Sequence, residues 1–188
     1  MGSARPTLHG VPLGLAHGSV ELVAYDDRWP ALFESEAALL RVGLEGQIGR
    51  IAHMGSTAIA GMDAKPILDL MAEVPSLRAP TLLYWSLARY GYLLEPDDDV
   101  PDRLFFVKTA GGSPITHHLS ICEVQSQFWY SHLEFRDRLR ADREVAADYL
   151  ALKRRLSSEH PDDRLAYTQG KASFIRSILR QRGCPDGQ

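Results

Sequence analysis

Ile51-Ala52-His53-Met54-Gly55-Ser56-Thr57-Ala58-Ile59-Ala60-Gly61-Met62-Asp63-Ala64-Lys65-Pro66-Ile67-Leu68-Asp69-Leu70-Met71 is the stretch on which the fold turns. A short apolar segment leads through a Gly-Ser-Thr turn and a loop carrying Lys65 into a second apolar run, Ile67 to Val74. That run reads as a mostly buried strand. Asp69 sits in its middle, and a carboxylate there is costly unless it is paired, hydrogen-bonded or bound to a metal. Gly55-Ser56 offers backbone N–H groups and a hydroxyl at what reads as a helix start, a place suited to an anion. The two features together make a phosphate cradle facing a metal-binding or basic acid. The plainer alternative is a tight turn, with Ser56 capping a helix and Asp69 capping a loop.

Upstream, Met1 to Ser19 is rich in Gly, Pro, His and Ser. It reads as a flexible leader, or as an arm that packs on the body without forming core. Val20 to Tyr25 is an edge strand or an extended entry. Asp26 to Pro30 is a turn, with Pro30 at the first position of a helix whose stripe includes Leu32, Phe33, Glu36, Ala37, Leu39 and Leu40. Ile48 to His53 reads as a first strand. Downstream, Pro75-Ser76-Leu77 opens a helix carrying Leu82, Leu83, Leu87 and Tyr90, and Gly91 ends it. Tyr92 to Leu94 is extended, and Glu95 to Arg103 is an acidic, Pro-broken loop. Leu104 to Lys108 and Ile115 to Val124 read as a hairpin closed by Thr109 to Pro114. Phe128 to Arg140, the run with Val145, Tyr149, Leu152 and Leu156, and a last segment after Pro161-Asp162-Asp163 are helical. The class is α/β (α+β), a small mixed sheet flanked by helices.

The 188 residues favour a single domain over 20–182, between the 1–19 leader and a 183–188 tail. Apolar content of 45% and charged content of 24% are ordinary for a soluble globular chain. A net charge of -3 makes no electrostatic case for nucleic acid as a partner. Cys122 and Cys184 form no metal-ligand spacing, Cys122 reads as a buried thiol, and this usage suits the reducing cytoplasm. No apolar stretch reaches the length of a membrane span, and no signal peptide is visible. Trp29, Trp85 and Trp129 read as packing residues.

Val23 to Phe33, His53 to Ala58 and Lys65 to Asp69 resemble the GrpB family. So do Phe135-Arg136-Asp137, the Tyr149 to Lys153 helix and Tyr167 to Lys171. The resemblance runs from about Val20 to Ile178 and implies a nucleotidyltransferase-like fold. It implies that a Gly-Ser turn holds nucleotide phosphates and that carboxylates on the next strand hold magnesium, often two acids one residue apart. Here the second acid position is Met71, and Glu73 lies roughly 13 Å along the strand from Asp69, too far to share an ion. Strand alternation puts His118 and Ser120 on one face and turns His117 away. Relatives resemble His-X-His at this point, and Ser120 stands where the second His falls.

Gly55, Ser56 and Thr57 are the expected phosphate contacts. Lys65 and Lys171 are expected to offset the phosphate charge, with a solvated lysine as the alternative for each. Asp69 and His118 are the expected catalytic pair and metal ligands. His53 is the expected substrate contact, with a satisfied core histidine as its alternative. Lys153 also matches a family-like position, and Lys153-Arg154-Arg155 reads as helix charge pairing. The resemblance implies a nucleotidyl or phosphoryl transfer from a nucleoside triphosphate, ATP foremost, with Mg2+, to a small-molecule acceptor. The alternative is a nucleotide- or anion-binding accessory module without catalysis.

Overall fold

The apolar run after the Gly-Ser turn forms the inside of a five-stranded sheet. The computed structural model describes residues 7–8, 11–78, 80–95 and 102–180. Its elements begin with β1 (Thr7–Leu8), β2 (Val11–Pro12), α1 (Trp29–Gly43), β3 (Ile51–Met54), a one-turn 3-10 helix (Ser56–Ala58) and β4 (Leu68–Val74). They continue with α2 (Thr81–Ala88), β5 (Tyr92–Leu94), β6 (Arg103–Thr109), β7 (Ile115–Glu123), α3 (Gln127–Ala141), α4 (Arg143–Glu159) and α5 (Arg164–Arg180). The sheet order is β3-β4-β7-β6-β5. Among the described residues only β4 and β7 run parallel, and their register sets Asp69 opposite His118. The sheet is therefore mixed, and helices cover both of its faces, as the sequence pattern predicts.

Period-two alternation divides the residues of β4 and β7 between two environments. Leu68, Leu70, Ala72, Val74, Leu119 and Ile121 join Leu32, Phe33, Ala37 and Leu40 of α1 and Leu83 and Leu87 of α2 in the main core. On the other face, Met71 and Cys122 pack against Trp129 of α3. Further along that face Asp69, His118 and Ser120 open into a cleft whose far wall is α4 and α5. The sheet thus has one dry face and one face that is part core, part site.

Several local expectations are corrected. Pro75 does not open α2, which begins at Thr81. The intervening segment is tied to the end of β7 instead: the Leu77 N–H donates to Glu123 at 2.8 Å. Trp85 is 72% exposed, because Leu83 and Leu87 take the buried side of this two-turn helix. Leu39 lies at the margin of the α1 stripe and is 42% exposed. The arm before Ser19 contributes core: Leu13 is buried in the main cluster, and Leu15 exchanges backbone hydrogen bonds with Ile115 at 3.0 and 2.9 Å. The start of β7 draws it in, since Ile115 lies ahead of the β4 pairing that begins at His117 and its backbone groups must find partners. Val20 to Tyr25 is an extended entry with a single bridge, Val23 to Ala64. The rest of the leader (1–6 and 9–10), residues 96–101 of the acidic loop, and the 183–188 tail with Cys184 lie outside the described residues.

Candidate functional site

Parallel pairing of β4 with β7 builds the cleft floor. His118 Nδ1 lies 2.9 Å from Asp69 Oδ1. Burial pushes the Asp69 carboxyl upward, but the His118 hydrogen bond and the charges of His118, Lys65 and Lys171 outweigh it and hold the pKa below the ordinary value. Burial lowers the His118 pKa against the opposing pull of Asp69. An ionised carboxylate only accepts, so Nδ1 carries the proton and donates it to Asp69. The other ring nitrogen, Nε2, is then left as an acceptor. A carboxylate orienting a neutral imidazole is the arrangement of a general base. His117 points to the opposite face, as alternation predicts, and lies 4.0 Å from Glu36.

Gly55 closes one side. Its φ is 69°, and a Cβ placed there would meet Asp69 Oδ2 at 2.3 Å. Glycine is therefore required twice over, by conformation and by its closeness to the carboxylate. Ser56 starts a helix of only three residues, too short for a useful dipole, so attraction for an anion must come from side chains. Thr57 and His53 do not reach the cleft. They are buried and hydrogen-bonded to each other at 2.9 Å, and the His53 ring stacks on Phe33 at 4.6 Å. Burial pushes the His53 pKa down to about 4. Thr57, expected at a phosphate, and His53, expected at substrate, are absent from the cleft lining: β3 alternation sets His53 opposite Leu70 on the core face, and the 3-10 turn buries Thr57 against it.

The far wall comes from α4 and α5. Gly170 lets these helices approach, since a Cβ there would meet Leu156 Cδ2 at 2.6 Å. Lys171, Arg164, Tyr167 and Tyr149 from this wall, with Lys65 from the loop, line the cleft. Lys171 Nζ sits 4.3 Å from the Tyr167 ring centre and Lys65 Nζ 5.7 Å from it. Lys153 is 1% exposed; its ammonium donates to Ser56 Oγ at 2.9 Å and to the Asp63 carbonyl oxygen. Burial, with neighbouring cations adding to it, brings Lys171 and Lys153 down to about 7, and burial also lowers Lys65. Arg164, Tyr149 and Tyr167 are cleft residues to which sequence reasoning gave no role, and Lys153 sits buried behind Ser56. Tyr149, Tyr167 and Lys153 carried a signal, since each falls in a segment that resembles the family, and the adjoining Arg154-Arg155 made Lys153 read as helix charge pairing. Arg154 does pair with an acid, Asp63, at 2.6 Å.

Four cationic side chains, Lys65, Lys171, Arg103 and Arg164, thus line the cleft with one carboxylate, Asp69. Arg164 is partly offset by Glu95 at 3.6 Å, which leaves the lysines in excess. The cavity is about 230 Å³, below the roughly 300–1,000 Å³ of whole-ligand pockets. It suits phosphate groups rather than an entire nucleotide.

Few donors stand beside Asp69 and His118 to complete the metal site expected there. The His118 nitrogen nearest Asp69 is spent on that carboxylate. Ser120 Oγ accepts from Arg103 at 3.0 Å, and Met71, at the second acid position, is fully buried. Glu73 is held by Arg50 at 2.6 and 2.7 Å. Among the described residues no three His, Cys, Asp or Glu side chains cluster as a metal site. Magnesium favours one or two carboxylates with phosphate oxygens and waters, and here ammonium groups occupy the surroundings.

Comparison with known proteins agrees with this geometry at the level of family and fold. A model of the GrpB protein family matches residues 19–181, and the chain belongs to that family. It is 35% identical over 158 residues to the UPF0157 protein YqkA of Bacillus subtilis, covering 84% of this chain and 46% of that relative. The chain therefore spans about half the length of that relative. The crystal structure of the conserved protein GrpB from Enterococcus faecalis superposes with a TM-score of 0.76 at 31% identity, over 86% of this chain and 96% of that one. A weaker likeness, TM-score 0.42 at 14% identity over 70% and 45% of the two chains, links it to the Cid1 poly(U) polymerase. Among the described residues no helix is long and apolar enough to cross a membrane.

Proposed function

We propose that this GrpB-family chain binds a nucleoside triphosphate, ATP foremost, by its phosphates in the cationic cleft and transfers a nucleotidyl or phosphoryl group to a small-molecule acceptor. The observation that carries the reading is the charge imbalance: Lys65, Lys171, Arg103 and Arg164 line one cleft with the single carboxylate of Asp69, and buried Lys153 stands behind Ser56. Buried ammonium groups without a matching anion are held at a cost, which a bound phosphate removes. His118 Nε2 takes the proton of the acceptor hydroxyl as its oxygen forms a bond to phosphorus. The bridging P–O bond breaks on the opposite side, and the departing phosphate carries its new negative charge onto Lys171 and Lys65. Asp69 holds the imidazolium that results. General-base help of this kind contributes about 10²–10⁴-fold, and the remainder rests on positioning and charge stabilisation. No step requires a protein-held metal.

Thermal-shift titrations with ATP, GTP, CTP and UTP, each with magnesium and each with chelator, test this. A ligand at a hundred times its dissociation constant adds about 2.7 kcal/mol of stability, and the shift is expected with and without magnesium. No shift with any of the four sinks the reading, and a shift only with magnesium transfers the lysines' role to the ion.

A second reading, binding without transfer, is favoured by Met71 where an acid would sit. Release of product from a labelled triphosphate incubated with hydroxyl, amine and carboxylate acceptors removes it.

A further inference from the structure

A second, smaller cavity of about 110 Å³ adjoins the cationic cleft, and Met54, Gly55, Ser56 and Tyr149 line both. Its character is the opposite of its neighbour's. Ile59, Phe135, Leu139 and Ile175 make apolar walls. Its cation, Arg136, is already engaged: it donates to the His53 carbonyl at 2.9 Å and pairs with Asp137 at 2.8 Å. His132 adds a specific polar group. Its Nδ1 lies 2.8 Å from the Phe128 carbonyl oxygen, which only accepts, so Nδ1 is protonated and Nε2 is an acceptor. Burial lowers the His132 pKa, so the ring is neutral near pH 7. Apolar walls with one placed hydrogen-bonding group are what orient a bound organic ring.

We propose that this slot receives the uncharged ring of the phosphorylated ligand, a heteroaromatic base bearing a hydrogen-bond donor that His132 Nε2 accepts. The inference rests on the phosphate reading of the cleft. It adds that the Gly55–Ser56 backbone and the Tyr149 ring form the shared wall past which one ligand reaches both cavities. The slot, rather than the phosphates, then sets which nucleotide binds.

Calorimetric titration of the full chain with ATP and with inorganic tripolyphosphate separates the two claims. ATP is expected to bind at least tenfold tighter than tripolyphosphate. Ile175→Trp, which fills the slot, is expected to remove that advantage while leaving tripolyphosphate affinity unchanged. His132→Phe is expected to reduce it about fivefold, the usual net worth of one uncharged hydrogen bond. In parallel, the Ile175 methyl and His132 ring NMR signals should move with ATP and with adenosine alone, but not with tripolyphosphate. Equal affinity for the two ligands, or an ATP preference that survives both substitutions, overturns the slot and leaves the phosphate reading standing. If tripolyphosphate fails to bind while adenosine moves the Ile175 signal, the phosphate reading falls and the slot stands. If neither ligand acts, both fall.

Discussion

His117 and His118 are neighbours in sequence, yet they lie on opposite sheet faces and do opposite things. His117 belongs to a closed polar cluster under α1, where buried Glu36 accepts from Lys108 at 2.7 Å and from the Tyr92 hydroxyl at 3.0 Å. Burial brings His117 down to about 4, so it stays neutral. There one acid meets one lysine, and the charges balance inside the core. His118 faces a cleft in which one acid meets several cations, and the balance can be restored only from outside. Buried charge that is internally matched is architecture; buried charge left unmatched beside an opening is a binding site.

The largest effect expected to separate the two faces is on transfer. His118→Gln or Asp69→Asn should lower it by about 10²–10⁴-fold, with the thermal midpoint nearly unchanged for Asp69→Asn, whereas His117→Gln should leave it within about twofold. Steady-state rates on folded variants decide this, and equal loss from both histidines would erase the distinction between the faces. Next comes stability. Glu36→Ala breaks the matched cluster and should cost about 3 kcal/mol, the low end for a buried pair because Lys108 retains some solvent. Urea unfolding measures that loss, and phosphate-ligand affinity should stay as it was.

Lys171→Met should act in the other sense. It should weaken tripolyphosphate binding about tenfold or more, the worth of a charge-assisted hydrogen bond, while the ligand-free protein becomes no less stable. A substitution that weakens both binding and folding would place Lys171 among the structural lysines. A further effect is on pH dependence. Lys153 and Lys171 fall from 10.5 to about 7 on folding, so between those values the unfolded chain binds more protons than the folded one. Stability of the ligand-free protein should therefore rise with pH across that window. The stabilisation given by a phosphate ligand should be greatest below pH 7, where both ammonium groups are charged. Differential scanning fluorimetry from pH 6 to about 10 checks both slopes, and Lys153→Met with Lys171→Met should flatten them.

Much of this organisation was legible in the residues. The apolar run Ile67 to Val74, the hairpin around Thr109 to Pro114 and the helical periodicity after Phe128 state their structure locally, because each depends on neighbours two to four residues away. Alternation along β7 separated His118 from His117 for the same reason. Thr57 faces where a three-residue turn sends it, which no periodicity encodes, whereas His53 follows β3 alternation onto the Leu70 face, away from Asp69. Lys153 was undervalued because composition sees only Lys-Arg-Arg, whereas its burial comes from the packing of α4 against the Ser56 and Asp63 backbone. The role of the arm at Leu13 and Leu15 was missed because the β7 groups it satisfies lie about a hundred residues away.

By itself, the sequence determined the class of fold, the family, the glycine turn and the mid-strand acid, all properties of contiguous residues. Tertiary structure decided the character of the site. The β4–β7 register turned Asp69 and His118 into a hydrogen-bonded pair, and the close α4–α5 packing through Gly170 carried Arg164 and Lys171 to face them, with Lys153 buried behind Ser56. Charge balance within a cleft is a sum over residues distant in sequence, weighted by distance and burial. Only the folded chain performs that sum.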